Sequence, residues 1–269
     1  MSTAAAPVES PSATATGRQR LRLLSYNVQV GISGTRPHHY FTKSWKHVLP
    51  HPRRFETLDR IAQLLAAYDV VGLQEVDAGS HRTGFVNLTE YLARQAGFPF
   101  WHHQLNRDLG RIAQHANGFL SHYRPMEITE HKLPGLIPGR GALMARFGEG
   151  DASLVVMMLH LALSRRARIH QLRYIAEVVN RHPNVVVMGD MNCQQGSPEM
   201  AYLLRATRLG LPAAELLTYP SWRPSRGIDH ILVTPGLTVT ECRVLHHNYS
   251  DHLPIAMEVA LPDELRLPI

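Results

Sequence analysis

Polar residues break otherwise apolar runs at a small set of places, and their types are suited to chemistry on phosphate esters. Asn27 closes LRLLSYNV, Glu75 closes DVVGLQE and His160 interrupts VVMMLHLAL. Asp190 and Asn192 close VVVMGDMN, Asp229 and His230 open GIDHILV, and Asp251 and His252 precede LPIAMEV. Each apolar run reads as a strand, so each polar residue falls at a strand end. Alone, any one of them is an ordinary turn residue, helix cap or satisfied histidine. Together they offer hard oxygen ligands for a divalent cation, a base-like pair to handle a water, and a His/Asp couple to stabilise charge, which is what hydrolysis of a phosphate ester needs.

The elements that must position these residues alternate between short strands and amphipathic helices from about residue 21 to 259. Residues 21–28 form a strand; from Pro52 the spacing of Phe55, Leu58, Ile61, Leu64 and Leu65 makes one helical face, and 69–74 follows as a buried strand. A second helix covers 88–95. Strands are expected at 119–122, 127–132, 142–147 and 153–161. A helix over 164–181 carries Ile169, Leu172, Ile175, Ala176 and Val179 at helical spacing and stops at His182-Pro183-Asn184. Strand 185–188, a helix over 198–208, and strands at 228–233, 238–245 and 255–260 complete the order. Strands that arrive partly as βα units and partly as antiparallel runs imply mixed sheets with helices outside. Two loops, 31–51 and 218–227, are rich in Pro, aromatic and basic residues, and loops of that length inside a compact domain tend to be functional.

Composition narrows the class without choosing a substrate. At 269 residues and 44% hydrophobic content the chain can build one large core, with no composition break or internal repeat to mark a second domain. No stretch approaches the roughly 18–20 apolar residues of a membrane helix. Residues 1–19 are small, polar and without the apolar middle of a secretory signal, and read as a disordered tail; a domain over 20–262 and a tail over 263–269 are expected, with a cytoplasmic address. Cys193 and Cys242 show neither disulfide-framework nor zinc spacing and are expected to be reduced thiols. The net charge of +6, from 28 Lys and Arg against 22 Asp and Glu, favours an anionic partner. It does not separate nucleic acid, phospholipid and small phosphorylated molecules.

The ordered motifs SYNV at 25–28, LQEV at 73–76, ANGFLSH at 116–122, RGAL at 140–143, LHL at 159–161, GDMN at 189–192, IDHILV at 228–233 and SDHLPI at 250–255 carry a resemblance. The sequence resembles the endonuclease/exonuclease/phosphatase superfamily, the deoxyribonuclease-I-like fold, from residue 20 to 259. That resemblance implies an α/β four-layer sandwich, α/β/β/α, in which two mixed β-sheets pack face to face with helices outside and the site lies at one edge. It implies that Asp190 and Asn192 hold and polarise the attacking water. Glu75 would be the principal Mg²⁺ or Mn²⁺ ligand, with Asn27 beside it and Asp251 completing the metal environment. His252, oriented by Asp229, would contact the phosphate, and His160 would donate to a non-bridging oxygen. Asn117, Arg140, Arg165 and Trp222 are substrate-binding candidates.

Departures bear on the substrate. The abasic-site repair branch of the superfamily has an acidic residue where this chain has Gln29, and a Tyr-Val-Pro-Asn segment where it has Leu159-His160-Leu161. The chain therefore resembles the His-containing branch, which spans nucleases, phosphoinositide phosphatases, sphingomyelinases and bacterial members, and the segment SRRARIHQL at 164–172 resembles the bacterial group in its Arg and Gln placement. The 31–51 loop, with His38, His39, Tyr40, Phe41, Lys43, Trp45 and Lys46, suits three uses: stacking and phosphate contact with nucleic acid, residence at an anionic membrane surface, or plain packing. The expected activity is that of a divalent-metal-dependent phosphoesterase, phosphodiesterase or phosphomonoesterase, on a monomeric chain. The alternative is a noncatalytic module that binds anions or a membrane surface while keeping the fold.

Overall fold

A computed structural model describes residues 18–29, 52–135 and 139–267. The 31–51 loop, and with it the readings of Trp45 and Lys46, lies outside the described residues. Among the described residues, eleven strands form two sheets. β1 (Arg20–Asn27), β2 (Val70–Asp77), β3 (Phe100–Asp108), β4 (Gln114–Ser121), β10 (Thr238–Val244) and β11 (Ile255–Ala260) make one, in the order β10-β11-β1-β2-β4-β3. β5 (Glu127–Lys132), β6 (Gly141–Phe147), β7 (Leu154–His160), β8 (Asn184–Asp190) and β9 (Asp229–Val233) make the other, in sequential order.

Strand periodicity sorts the apolar residues into three layers of packing. Leu23, Val70, Val156 and Val186 point between the sheets, where they meet Phe119, Leu143, Met158 and Met188. Their chain neighbours point the other way, as side chains on successive strand residues must. Leu24 and Val71 pack with Leu58 and Ile61 of α1 (Pro52–Leu65) and Leu92 of α2 (Leu88–Ala96). Val155 and Val187 pack with Leu172 and Ile175 of α3 (Arg165–Val179) and Leu203 of α4 (Pro198–Ala206). The result is the α/β/β/α sandwich, and it explains why β7 and β8 are apolar almost throughout: both faces of each are covered. Helix starts follow local chemistry. Asn87 caps α2, Ser164 caps α3, and Ser197 caps α4 with Pro198 at the first helical position.

Each sheet contains one parallel pair, β1 with β2 and β7 with β8. A parallel pair requires a crossover, and α1 and α3 lie in the connecting segments. The two pairs end at the same edge of the sandwich, since Asn27 at the end of β1 donates to Asp190 at the end of β8. β9 runs antiparallel to β8 with Asp229 opposite Asp190, and β11 runs antiparallel to β1 with Ile255 opposite Ser25. The entries into β9 and β11 therefore lie at that edge too.

Two features differ from the sequence reading. β3 was not expected, because FWHHQLNRD lacks apolar alternation; it is an edge strand on which Gln104 alone is fully buried, so little in its composition marks it. The expected tail from residue 263 is part of the body: Leu265 and Leu267 are buried in the inter-sheet core, and Gln19 Oε1 accepts from the Leu267 backbone nitrogen at 2.9 Å.

Two glycines allow close approach. A Cβ on Gly72 would meet Met158 Cγ at 2.6 Å and Met188 Cε at 2.9 Å, across the inter-sheet core. A Cβ on Gly189, whose φ is 142°, would overlap the Leu159 carbonyl in the adjacent strand. Methionine side chains can yield and backbone cannot, so Gly72→Ala is expected to cost about 1–3 kcal/mol and Gly189→Ala more. Urea unfolding of both variants checks the order.

Candidate active site

Backbone geometry turns the strand-end residues inward. Between Leu73 and Val76 the register of β2 on β4 slips, with Leu73 opposite Gly118 but Val76 opposite Ala116. The extra residue is a bulge, and Glu75 within it takes a left-handed φ of 57°. Among the described residues four non-glycine positions have positive φ, and three of them, Gln29, Glu75 and Asn192, stand at the ends of β1, β2 and β8. Such conformations cost on the order of 1–3 kcal/mol each and persist where surrounding contacts hold them. Here the holding contacts are visible. The Gln29 backbone nitrogen donates to Asn27 Oδ1 at 3.2 Å, the Asn192 backbone nitrogen to Asp190 Oδ1 at 2.9 Å, and Asn192 Nδ2 to the Leu161 carbonyl at 3.0 Å.

The side chains then converge on Asp190. Its Oδ2 accepts from Asn27 Nδ2 at 3.2 Å and lies 3.4 Å from His160 Nε2 and 4.0 Å from His252 Nε2. Asn27 Nδ2 also donates to Glu75 Oε1 at 3.3 Å, so one amide bridges carboxylates from two sheets. His252 Nδ1 faces Asp229 Oδ2 at 2.8 Å, and the Thr218 hydroxyl donates to the same oxygen at 2.5 Å. Arg140 Nη1 sits against the edge of the His160 ring, 2.7 Å from Nδ1 and 2.5 Å from Nε2. Asp190, Asp229, His252, His160 and Asn27 are all buried, while the Glu75 side chain is one-third exposed and opens the cluster to solvent.

Burial and neighbouring charge set the protonation states. Burial and the charge of Asp229 push Asp190 up to about 7, against the pull of His252. For His252, burial opposes protonation, but Asp229, Asp190 and Asp251 outweigh it and push the imidazole up to about 10. His160 goes the other way: burial, then Arg140, hold it well below the ordinary imidazole range. A guanidinium only donates, so His160 accepts from Arg140 and is neutral. Glu75 is raised by burial and by the charge of Asp251. The site thus contains one protonated histidine, one neutral histidine and a carboxylate poised near neutrality.

Asp251 is buried beside this cluster, and its backbone carbonyl accepts from the Ser221 nitrogen at 2.7 Å. The Ser221 hydroxyl donates to the Ser250 carbonyl at 2.6 Å, which ties the 218–227 loop to the His252 segment and places half-buried Trp222 next to the tie. Asn117, opposite the β2 bulge, donates to the Gly141 carbonyl at 3.1 Å, and its Oδ1 is buried without a partner. Arg165 is not drawn into the cluster. It is exposed at the start of α3 and pairs at 3.7 Å with Glu199, which also anchors Arg168 at 2.7 Å. Thr218 and Tyr219 were missed by sequence reasoning. Tyr219 places its ring 4.9 Å from that of His252. Neither residue type signals chemistry in a loop, and their contacts depend on chain segments far apart in sequence.

Asp229→Asn is expected to bring His252 from about 10 down to the ordinary imidazole value of about 6.5 or lower, because the main opposing charge to burial is gone. Nitrogen-15 NMR titration of the imidazole in the metal-free protein reads this directly. Asp190 has the opposite stability sign from a salt-bridged carboxylate: its folded pKa lies above the unfolded value, so its favourable contribution is present at low pH and is lost as pH rises through about 7. Asp190→Asn is therefore expected to stabilise the metal-free protein at pH near 8 by about 1 kcal/mol, measured by thermal melting, and to do so less at acid pH.

The model of the Endonuclease/Exonuclease/phosphatase family matches residues 24–252. Among solved structures, an endonuclease/exonuclease/phosphatase from Beutenbergia cavernae aligns with a TM-score of 0.70 at 22% identity, covering 91% of this chain and 72% of that one. A mannosyl-6-phosphatase from Bacteroides thetaiotaomicron aligns with a TM-score of 0.66 at 17% identity, covering 89% and 99%. The catalytic domain of human Nocturnin, with a bound sulfate, aligns with a TM-score of 0.64 at 15% identity, covering 89% and 93%. No curated protein matches the chain in sequence. With the family model spanning the strand-end residues from both sheets, the chain belongs to the endonuclease/exonuclease/phosphatase family.

Proposed function

We propose that this protein hydrolyses a phosphate ester, with a divalent cation, Mg²⁺ or Mn²⁺, as cofactor. Members of the family are hydrolases acting on phosphate esters and generally use divalent metals. The observation that carries the reading for this chain is the convergence on Asp190: Asn27 bridges it to Glu75 across the two sheets, and His160 and the Asp229-bound His252 face the same carboxylate oxygen.

The donor set fits a hard cation. Glu75 and Asp251 are carboxylates whose closeness raises Glu75, and that repulsion is relieved when a dication binds between such groups. Asn27 turns its amide nitrogen toward Glu75 and Asp190 and its oxygen toward Gln29, so it bridges the carboxylates and serves as a ligand only with the amide reversed. Asp190, Asp229 and His252 also place ligand atoms within 4.8 Å of one another. We favour Glu75 and Asp251, because His252 is protonated and bound to Asp229 and so has no lone pair to give. When bound, the cation neutralises the phosphate and stabilises the charge that develops on it.

The protein's own groups do the rest. Asp190, poised near neutrality, accepts the proton of the attacking water as its oxygen bonds to phosphorus and the ester P–O bond breaks, the leaving oxygen departing with a proton from solvent; Asn192 locks the Asp190 carboxylate through its backbone nitrogen. His252, held by Asp229 and Thr218, donates from Nε2 to a phosphate oxygen, and Arg140 adds a second positive charge nearby. His160, kept neutral beside Arg140 and 3.4 Å from Asp190, stands in the cluster that would meet the phosphate. The unpartnered buried oxygen of Asn117 and the position of half-buried Trp222 at the loop tie support reading them as substrate contacts; Arg165 is held by Glu199 and is the weakest of these candidates.

Hydrolysis of bis-p-nitrophenyl phosphate or p-nitrophenyl phosphate with added Mg²⁺ or Mn²⁺ is the test. Activity is expected to vanish with chelator and to fall about 10²–10⁴-fold in Asp190→Asn and His252→Ala, with Glu75→Gln raising the metal concentration required. Anion binding that ignores metal and all three substitutions, with no turnover, would instead mark a noncatalytic module.

A further inference from the structure

Exposed apolar side chains are distributed unevenly over this molecule. Eight large ones are exposed among the described residues, and six of them, Phe85, Leu105, Leu109, Ile112, Leu163 and Leu217, lie on the loops or strand ends at the edge that carries the site. Met126 and Val239 lie toward the other edge. The densest group is at the turn between β3 and β4. That turn is built firmly: the Leu109 nitrogen donates to the Ala113 carbonyl at 2.9 Å, and Asp108 Oδ1 accepts from the Gly110 nitrogen at 2.8 Å. It is anchored to the segment after β2, where the His81 nitrogen donates to the Arg111 carbonyl at 2.7 Å.

Phe85 stands on that same segment, its ring 5.9 Å from that of His81. It is 59% exposed and has a left-handed φ of 64°, the one such non-glycine residue among the described ones outside the site network. Burial does not account for a strained aromatic held out in solvent. Charge is uneven as well. On the same edge Arg107, Arg111, Arg166 and Arg223 are exposed and, among the described residues, form no ion pair, whereas the exposed acids on these loops are Asp108 and Glu215.

We infer that the β3–β4 turn and Phe85 dock this edge on an anionic lipid surface, presenting the site to a phosphate ester held in that surface. Aliphatic side chains next to arginines match an interface in which the apolar groups enter the acyl boundary and the cations meet anionic headgroups. A nucleic-acid platform would put rings where this turn has Leu109 and Ile112, since bases stack on rings. The inference deepens the phosphoesterase reading and rests on it only for the substrate class, not for the docking itself.

Sedimentation of the full chain with vesicles of phosphatidylcholine, with and without phosphatidylserine, tests the docking, alongside hydrolysis of soluble bis-p-nitrophenyl phosphate. The expected result is binding that requires phosphatidylserine, weakens about tenfold or more in Leu109→Glu/Ile112→Glu, and weakens likewise in Arg107→Glu/Arg111→Glu. Turnover of the soluble ester stays at the wild-type rate in both double variants, which also shows that they fold. The inference is overturned if wild-type protein ignores the vesicles, if both variants bind them as the wild type does, or if the substitutions abolish binding of a DNA oligonucleotide while vesicle binding persists. Vesicle binding that follows the turn in a protein without esterase activity would uphold the docking surface and remove the enzymatic reading. Soluble turnover without vesicle binding would do the reverse.

Discussion

The hydrogen bond from Asn27 to Asp190 joins the end of a strand in one sheet to the end of a strand in the other, and the site exists because the two sheets pack closely enough for it to form. That closeness depends on the inter-sheet core. Gly72 leaves room for Met158 and Met188, and Gly189 lets β8 lie against Leu159 just before Asp190. A layer of apolar side chains thus sets the distance between carboxylates that would otherwise stay apart. The cost of bringing them together falls on Asp190 and Glu75, both of which are harder to ionise than in water.

Charge in the site is balanced locally. Asp229 serves His252, Arg140 faces the charges of Glu75 and Asp190, and Asn27 serves two carboxylates at once. The two histidines are chemically equivalent in sequence and opposite in state, because His252 is paired with Asp229 while burial and then Arg140 hold His160 neutral. Asn27, Glu75, His160, Asp190 and Asp229 stand in or at the ends of strands, while Thr218, Asp251 and His252 come from loops. The rim is where apolar and basic side chains are exposed.

Several parts of this architecture were legible beforehand for identifiable reasons. β7 and β8 are apolar runs ended by His160 and by Asp190, and a strand buried on both faces cannot be written any other way. Helices α2, α3 and α4 declare their starts with Asn87, Ser164 and Ser197. β3 was hidden because an edge strand with one buried side chain has no periodicity to read. The core role of Leu265 and Leu267 was hidden because two apolar residues among prolines and charges resemble a tail until the sheets they close are in place.

The sequence by itself determined which residues are available for chemistry and that they stand at strand ends, since apolar periodicity and the polar residue that stops it are local properties of the chain. It determined the layered fold class for the same reason. Tertiary structure alone decided that Arg140 meets His160, that Thr218 completes the Asp229 couple, that Arg165 is held by Glu199 instead of the site, and that Glu75 turns inward on a bulge. Those outcomes depend on distance and burial between segments remote in sequence, and a protonation state is a property of that surrounding and not of the residue type.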